Sequence, residues 1–333
     1  MNLETTYLGM KLAHPFIPGA SPVADDLDRA RRFEDAGASA IVMRSLFEEQ
    51  IEREAAAVDA HVVRHADGHA EAQTFFPDPT IFIMGPDRYL EHLRKLRTSL
   101  SIPIIASLNG TSTGGWLSFA KHIEQAGAHA LELNLYAVAT NPEEDAATVE
   151  ARAIEVVSTI RAAVRIPLAV KLSPFYSSLP NFARKLENAG ANGIVLFNRF
   201  YQPDIDPEGL DLTRCLRLSD SSELLLRLRW IAVLSGQRNL SLAASGGVHS
   251  ATDAVKAIMA GAHAVQIVSA LLMHGPSRMR DIIAGVKAFL EENEYESLDQ
   301  MRGNMNLSRC PDPSSYERAN YAEILQSWHG KNA

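Results

Sequence analysis

Four short stretches of the chain share one pattern: Glu34-Asp-Ala-Gly-Ala-Ser-Ala-Ile-Val, Glu124-Gln-Ala-Gly-Ala-His-Ala-Leu-Glu-Leu, Glu187-Asn-Ala-Gly-Ala-Asn-Gly-Ile-Val-Leu and Ile258-Met-Ala-Gly-Ala-His-Ala-Val-Gln-Ile. Each reads as the end of a helix, a glycine stop and the start of a buried strand. Gly37, Gly127, Gly190 and Gly261 fall where a helix C-terminus calls for a left-handed residue, which glycine reaches without a Cβ clash. The small alanines beside each glycine let the helix end pack closely on the next strand. Four copies of one αβ turn, from residue 34 to residue 267, predict alternating helices and parallel strands.

Apolar runs that follow a turn or a glycine give eight candidate strands: Phe16–Ala20, Ala40–Arg44, Pro103–Leu108, Ala130–Leu135, Pro167–Leu172, Gly193–Asn198, Leu240–Ser245 and Ala264–Ser269. Each is short and apolar on both faces, as parallel strands covered by helices are. Helical periodicity fills 25–36, 86–100, 115–127, 146–164, 180–189, 221–235, 250–260 and 276–292. Asp25, Ser178 and Ser250 are the expected N-caps. Eight strands, each followed by a helix, predict an α/β fold of the (β/α)8 TIM-barrel kind. Thr5 to Leu12 reads as a β-hairpin capping the barrel bottom, with Gly9 in its turn. Residues 45–85 and 199–220 are irregular excursions that follow strand C-termini, so they should rise over the catalytic mouth. The tail, about 294–333, reads as irregular, with Pro311 and Pro313 breaking any helix. No linker interrupts the chain, and a single domain over 1–333 is expected.

A net charge of −8 and a pI near 5.8 argue against a nucleic-acid or anionic-membrane surface. Cys215 and Cys310 alone make no disulfide framework, zinc site or iron–sulfur pattern. The first residues lack the apolar core of a signal peptide, and no apolar run reaches the roughly 18 residues of a membrane span. The expectation is a cytoplasmic protein acting on a small molecule, without a metal.

In a barrel the reactive groups lie at strand C-termini. Those tips carry Ala20-Ser21, Arg44-Ser45, Ser107 to Asn109, Asn134, Lys171, Asn198, Ser245-Gly246-Gly247 and Ser269-Ala270. Amides, hydroxyls and two cations gather there, and the only acid is Glu132 inside the fourth strand. That weakens carboxylate-pair or metal-assisted hydrolysis and favours a polar ring with an anionic group. The loops after strands seven and eight, with Gly246, Gly247, Ser269 and Ala270, are the usual phosphate seat of the fold. Lys171 sits in an apolar strand, where an unpaired ammonium is costly, so its charge should face an anionic ring or a developing anion. Arg44 either faces the mouth or pairs with Glu48 or Glu49. His61, His65 and His69 read as a solvated loop cluster, and the run Glu48 to Glu54 as an exposed helical face.

Further residues carry a resemblance. Thr5-Thr-Tyr-Leu-Gly-Met-Lys-Leu with His14-Pro-Phe-Ile-Pro-Gly-Ala-Ser, Leu131-Glu-Leu-Asn-Leu, Ala169-Val-Lys-Leu-Ser-Pro, Asn198 followed by Ile205-Asp-Pro-Glu, and Ser245-Gly-Gly-Val with Gly261-Ala-His-Ala-Val-Gln-Ile-Val-Ser-Ala-Leu resemble the dihydroorotate dehydrogenase family of FMN-binding barrels. The resemblance runs from about residue 5 to residue 292. It implies a non-covalent FMN, a homodimer and CH–CH oxidoreductase chemistry; the family reaction takes dihydroorotate to orotate in pyrimidine biosynthesis. By position, Ala20 and Ser21 would lie along the isoalloxazine, and Arg44 takes the place of a family lysine. Lys171 would contact the flavin near N1 and O2 and stabilise charge on the ring. Asn109, Asn134 and Asn198 would hydrogen-bond flavin or substrate, with Arg199 also on the substrate side. Gly246, Gly247, Ser269 and Ala270 would hold the FMN phosphate.

The departures are equally specific. The family's base position, a Cys or Ser, is Ala137 here, and the asparagine that follows it is Ala139. The family's Asn-Ser/Thr pair after the sixth strand is Asn198-Arg199, and its glycine-rich stretch before the sixth helix is Leu218-Ser-Asp-Ser-Ser-Glu. Ala137 cannot accept a proton, and Tyr136, Thr140 and Ser112 are the nearest substitutes. Dihydroorotate oxidation is therefore expected to be weak or absent. The leading reading is an FMN-dependent oxidoreductase. The alternatives are a flavin-binding or electron-transfer partner without substrate chemistry of its own, and a sugar-phosphate barrel using Lys171 as a Schiff base. No nicotinamide fingerprint is present, so NAD would need a partner subunit or direct access to the site.

Overall fold

A computed structural model of the chain describes residues 1–53, 85–237 and 239–327. In chain order its strands are β1 (Thr5–Tyr7), β2 (Met10–Leu12), β3 (Phe16–Pro18), β4 (Ile41–Val42), β5 (Leu46–Phe47), β6 (Ile104–Asn109), β7 (Ala130–Asn134), β8 (Leu168–Leu172), β9 (Gly193–Leu196), β10 (Asp204–Asp206), β11 (Asp211–Thr213), β12 (Ser241–Ser245) and β13 (Ala264–Ile267). The main sheet runs β3-β13-β12-β9-β8-β7-β6-β4, with β5 paired to β6. All eight expected strands are present, in the sequential order of a (β/α)8 barrel. Residues of β6 to β9 are buried on both faces apart from the last of β6, as an apolar strand under helices requires.

The chain divides into two compact units, Pro18–Asn192 and Met1–Ile17 with Gly193–Ala333. Within the first, β4, β6, β7 and β8 are parallel, with Ile41 opposite Ile104, Leu133 opposite Leu108 and Leu131 opposite Leu168. The helices of this unit are α1 (Leu27–Asp35), α2 (Pro86–Ser99), α3 (Phe119–Gln125), α4 (Ala146–Ala163) and α5 (Leu179–Asn188). Within the second, β9, β12 and β13 are parallel, and their helices are α6 (Leu224–Leu234), α7 (Ala251–Ala260), α8 (Ser269–His274) and α9 (Ser277–Glu292). The hairpin β1–β2 turns at Leu8 and Gly9, with φ of 52° and 76°. Leu8 N–H donates to Ser241 Oγ at 3.0 Å and Thr5 Oγ1 to the His263 carbonyl at 2.8 Å. Those contacts lie at strand N-termini, so the hairpin closes the bottom of its own unit.

The repeated turn does more than stop a helix. All four of its glycines have φ between 94° and 122°. The residue two places on is a clamp in three copies. His129 Nδ1 accepts the Ile104 N–H at 2.9 Å, Asn192 Oδ1 accepts the Leu168 N–H at 2.9 Å, and His263 Nδ1 accepts the Leu242 N–H at 3.1 Å. The backbone N–H groups of the same three residues donate to the carbonyls of Ile104, Leu168 and Leu242. Each clamp therefore brackets the first or second residue of the preceding strand and fixes its register. Acting as acceptors at Nδ1 requires His129 and His263 to be unprotonated there. Burial is the first cause that lowers both, and it pushes His263 down to about 4.

Three expectations need correction. Asp26, not Asp25, caps α1 by accepting the Arg29 N–H at 2.7 Å. Ser178 occupies the cap position of α5 without a side-chain bond, whereas Ser250 and Asp253 form a full capping box on α7. The tail is not irregular: α10 (Leu298–Met301) is closed by a second capping box, Ser297 with Gln300, and α11 spans Arg318–Ser327. Pro313 opens a 3-10 turn, where its missing N–H costs nothing. The excursion 199–220 carries the hairpin β10–β11, with Ile205, Leu210 and Leu212 exposed. Most of the other excursion, including His61, His65 and His69, lies outside the described residues.

Candidate active site

Within the unit Pro18–Asn192, the tips of three strands fall on one rung. Asn109 is opposite Asn134, and Asn134 is opposite Lys171. Asn134 and Lys171 are buried, and Asn109 is half-buried. The period of two along a strand places Glu132 on the same face as Asn134. There Lys171 Nζ meets Glu132 Oε1 at 3.3 Å, with side chains only 5% and 1% exposed. Lys171 is thus not the lone cation its sequence neighbours imply. One rung lower, Ser107 Oγ lies 2.8 Å from Ser45 Oγ, and the Tyr89 hydroxyl donates to the Ser107 carbonyl and accepts its N–H. Burial pushes the Tyr89 phenol far above its usual range. The result is a buried polar strip along β6, β7 and β8.

The other expected residues of this unit are placed as follows. Arg44 forks onto Asp25, with Nε and Nη2 at 3.0 and 2.5 Å from its two oxygens, so neither Glu48 nor Glu49 is its partner. Glu48 instead turns inward and accepts the N–H groups of Thr111 and Ser112, and residues 48–53 are helical but not fully exposed. Ser21 is buried with its hydroxyl on the Gly19 carbonyl, beside half-buried Ala20. Ala137 and Thr140 are exposed and Tyr136 is half-buried. Ser112 Oγ accepts from Gly114 N and Trp116 Nε1, both at 3.2 Å. It lines an open groove of about 530 Å³ with Thr148, Arg152 and Glu155.

In the other unit the expected residues fall in a backbone turn. Gly246 and Gly247 follow β12 with φ of 93° and 81°. A Cβ on Gly247 would stand 2.4 Å from the Leu224 nitrogen, so the turn accepts no side chain. Ser219 joins this turn to the next loop. Its Oγ lies 3.4 Å from Gly247 N and 2.9 Å from Ser269 Oγ, and its own N–H donates to Ser269 Oγ at 3.0 Å. His249 Nε2 sits 3.3 Å from the same Ser219 hydroxyl, and burial lowers the basicity of the ring. Ala270 is fully buried in α8 behind Ser269. Asn198 is half-buried after β9, and Arg199 Nη1 donates to Glu223 Oε1 at 2.6 Å.

Three residues escaped the sequence reading, and the pairing of a fourth, Glu132, with Lys171 was missed. Glu132 was legible, since two positions before an inward Asn134 is inward as well. Arg227 was partly legible as the i+4 partner of Glu223 on a leucine-rich helix; it is 6% exposed and donates Nε to the Ser245 carbonyl at 3.0 Å. Ser219 and His249 had no signal, being single polar residues in loops. Among the described residues no cluster of His, Cys, Asp and Glu could hold a metal, and no helix is long and apolar enough to cross a membrane.

Comparison with known proteins bears on this arrangement. The sequence profile of the family described as dihydroorotate dehydrogenase matches residues 2–290. A protein of Aeropyrum pernix named as a dihydroorotate dehydrogenase A (fumarate) is 33% identical over 211 residues, 61% of this chain and 67% of that one. The catalytic subunit of dihydroorotate dehydrogenase B (NAD(+)) of Thermoplasma acidophilum is 25% identical over 310 residues, 91% of this chain and 98% of that one. Its counterpart in Bacillus cereus is 27% identical over 239 residues, 68% and 74% of the two chains.

Proposed function

The chain belongs to the dihydroorotate dehydrogenase family and is an oxidoreductase of that kind; from that membership we propose that it uses FMN and accepts hydride from a small planar CH–CH donor. The observation that carries this reading is the rung Asn109, Asn134, Lys171, which sets two amides and a buried cation side by side at strand C-termini. The sugar-phosphate alternative falls with the family membership.

The residues fit a flavin mononucleotide in each unit taken separately. Two successive glycines with positive φ leave the backbone of this turn bare of side chains where a phosphate could approach, and Gly247 N–H has only a long contact to Ser219. Gly246, Gly247, Ser269 and Ala270 would hold the phosphate. Ala20, Ser21, Asn109 and Asn134 would line the ring, with Arg44 behind them on Asp25. FMN, when bound, supplies the hydride acceptor. Lys171 supplies a positive charge whose place is fixed by Glu132, and the amides of Asn109, Asn134 and Asn198 orient a flat polar ring. Arg199 serves the substrate.

The step the chain is poorly equipped for is proton removal. Ala137 has no acceptor. Tyr136, Thr140 and Ser112 remain as substitutes, but Ser112 Oγ already receives two N–H groups. Dihydroorotate turnover should therefore be slower than a family member with a base would give, by about 10²–10⁴-fold. The relatives named as catalytic subunits suggest a partner subunit that takes the electrons, and a homodimer of this chain is also expected.

The test begins with a spectrum and mass identification of bound cofactor at saturating FMN. A colourless protein that takes up no FMN sinks the reading. Anaerobic mixing with dihydroorotate follows, in the wild type and in Ala137→Cys. Slow bleaching in the wild type and faster bleaching in the variant are expected. Fast bleaching in the wild type would show that Tyr136, Thr140 or Ser112 serves as base. An FMN-loaded protein that no CH–CH donor reduces would favour an electron-transfer role. Lys171→Met should slow reduction and lower the flavin potential.

A further inference from the structure

Arg199 directly follows Asn198 beyond the end of β9, and one edge of its guanidinium is spoken for. Nη1 donates to Glu223 Oε1 at 2.6 Å, and Cζ lies over the Tyr201 ring, 5.6 Å from its centroid. Glu223 is itself held from beneath. It stands at the N-cap of α6, and Arg227 Nη1 donates to its carbonyl at 2.7 Å. The other carboxylate oxygen lies 3.8 Å from the same Arg227 nitrogen. A carboxylate fixed on a helix end thus sets the direction of Arg199.

The opposite edge is not spoken for. Arg199 Nε is buried and has no hydrogen-bond partner. A buried N–H without a partner costs free energy, which a ligand accepting that N–H would recover. Nε and Nη2 together form the side-on fork of arginine, whose two parallel N–H groups match the two oxygens of a carboxylate.

We propose that Arg199 is a specificity-determining residue whose side-on fork takes the carboxylate of a planar substrate acid, with Glu223 as the positioning residue. This rests on the reading of Asn198 and Arg199 as substrate-side residues of an FMN oxidoreductase. A serine or threonine at position 199 would offer one neutral hydroxyl. Arginine offers a charge and a geometry, and Glu223 holds that geometry before substrate arrives, which lowers the ordering cost of binding.

The experiment is equilibrium binding to the FMN-loaded protein, without turnover. The probes are orotate, fumarate and benzoate, each beside an uncharged counterpart: uracil, fumaramide and benzamide. At least one acid should bind the wild type and lose about 10–100-fold in Arg199→Ser, while its uncharged counterpart changes by less than about 2-fold. Arg199→Lys, which keeps the charge beside Glu223, should recover part of the loss and covers the case in which the serine variant fails to fold. Glu223→Gln should weaken the acid and spare the amide. Equal losses for acid and amide, a loss of FMN in Arg199→Ser, or a wild type that binds none of the acids would each overturn the proposal. If fumarate or benzoate shows the pattern and orotate does not bind, the carboxylate fork stands and the dihydroorotate reading falls. If protein that takes up no FMN still binds an acid through Arg199, the flavin reading falls alone.

Discussion

The two units use charge in opposite ways. In Pro18–Asn192 the pair Lys171–Glu132 stands on neighbouring strands, almost wholly buried, at 3.3 Å. In Met1–Ile17 with Gly193–Ala333 the pair Arg199–Glu223 stands on a loop and a helix end, a quarter to a third exposed, at 2.6 Å. The shorter contact is the cheaper one to lose. Exposed pairs are screened by water, whereas each partner of a buried pair is tolerated only because the other is there. A pair held between strands is therefore costly to change, whereas one between a loop and a helix end can be exchanged at little cost.

The largest effect should come from breaking the strand pair. Glu132→Ala leaves a buried ammonium and should cost about 3–5 kcal/mol in urea unfolding. A cost below 1 kcal/mol would mean that water reaches Lys171 and the contrast between the units is false. Next comes acid. His263 has its pKa lowered to about 4, mainly by burial and further by Arg302, so between pH 6.5 and 4 the unfolded chain binds the extra proton. Stability is complete above pH 6.5 and falls by about 3 kcal/mol as the pH drops to 4. His263→Asn, which copies the clamp at Asn192, should flatten that slope; an unchanged slope would place the sensitivity elsewhere.

Gly247→Ala should cost roughly 2–3 kcal/mol, the left-handed penalty plus a clash with the Leu224 backbone. Gly9→Ala has similar φ and no atom within 4 Å, and should cost only about 1 kcal/mol. Equal costs in thermal unfolding would show that the Gly246–Gly247 turn is looser than its geometry. Because Gly247 also crowds Leu224, a bulky substitution there would report on folding first. The smallest effect is Glu223→Ala, under about 1 kcal/mol for its partly exposed ion pair; a cost as large as that of Glu132→Ala would erase the distinction between strand and loop.

The strands and helices were legible because each glycine stop is followed at once by an apolar run, and both signals are local. The strand-tip residues followed from the order of strands. The pairings did not. Lys171 and Glu132 are 39 residues apart, Arg44 and Asp25 are 19 apart, and Ser219 and Ser269 are 50 apart. Composition says nothing about which distant charge a side chain will meet. Hence Lys171 read as unpaired, and Arg44 was left between the mouth and its near neighbours Glu48 and Glu49. The β10–β11 hairpin and the tail helices were missed for another reason: the hairpin and α11 are exposed and α10 is a single turn, so none shows the apolar period that marks a longer buried element. Pro313 stops a helix only behind itself, and α11 begins five residues later.

The His–Asn–His clamps carry a consequence for how this chain can be cut and rejoined. They reach back 25, 24 and 21 residues, so each strand is secured by the residue that opens the one after it. The transferable piece is therefore not one strand with its helix but that piece plus the head of the next. New chain ends made inside the glycine turns, at Ala126 to Ala128 for example, would separate a strand from its own fastening. Ends made in the exposed loop Asn141 to Glu144, between β7 and α4, would leave every fastening inside one continuous segment. Permuted or split forms of the chain should tolerate the second kind of joint and lose strand alignment with the first.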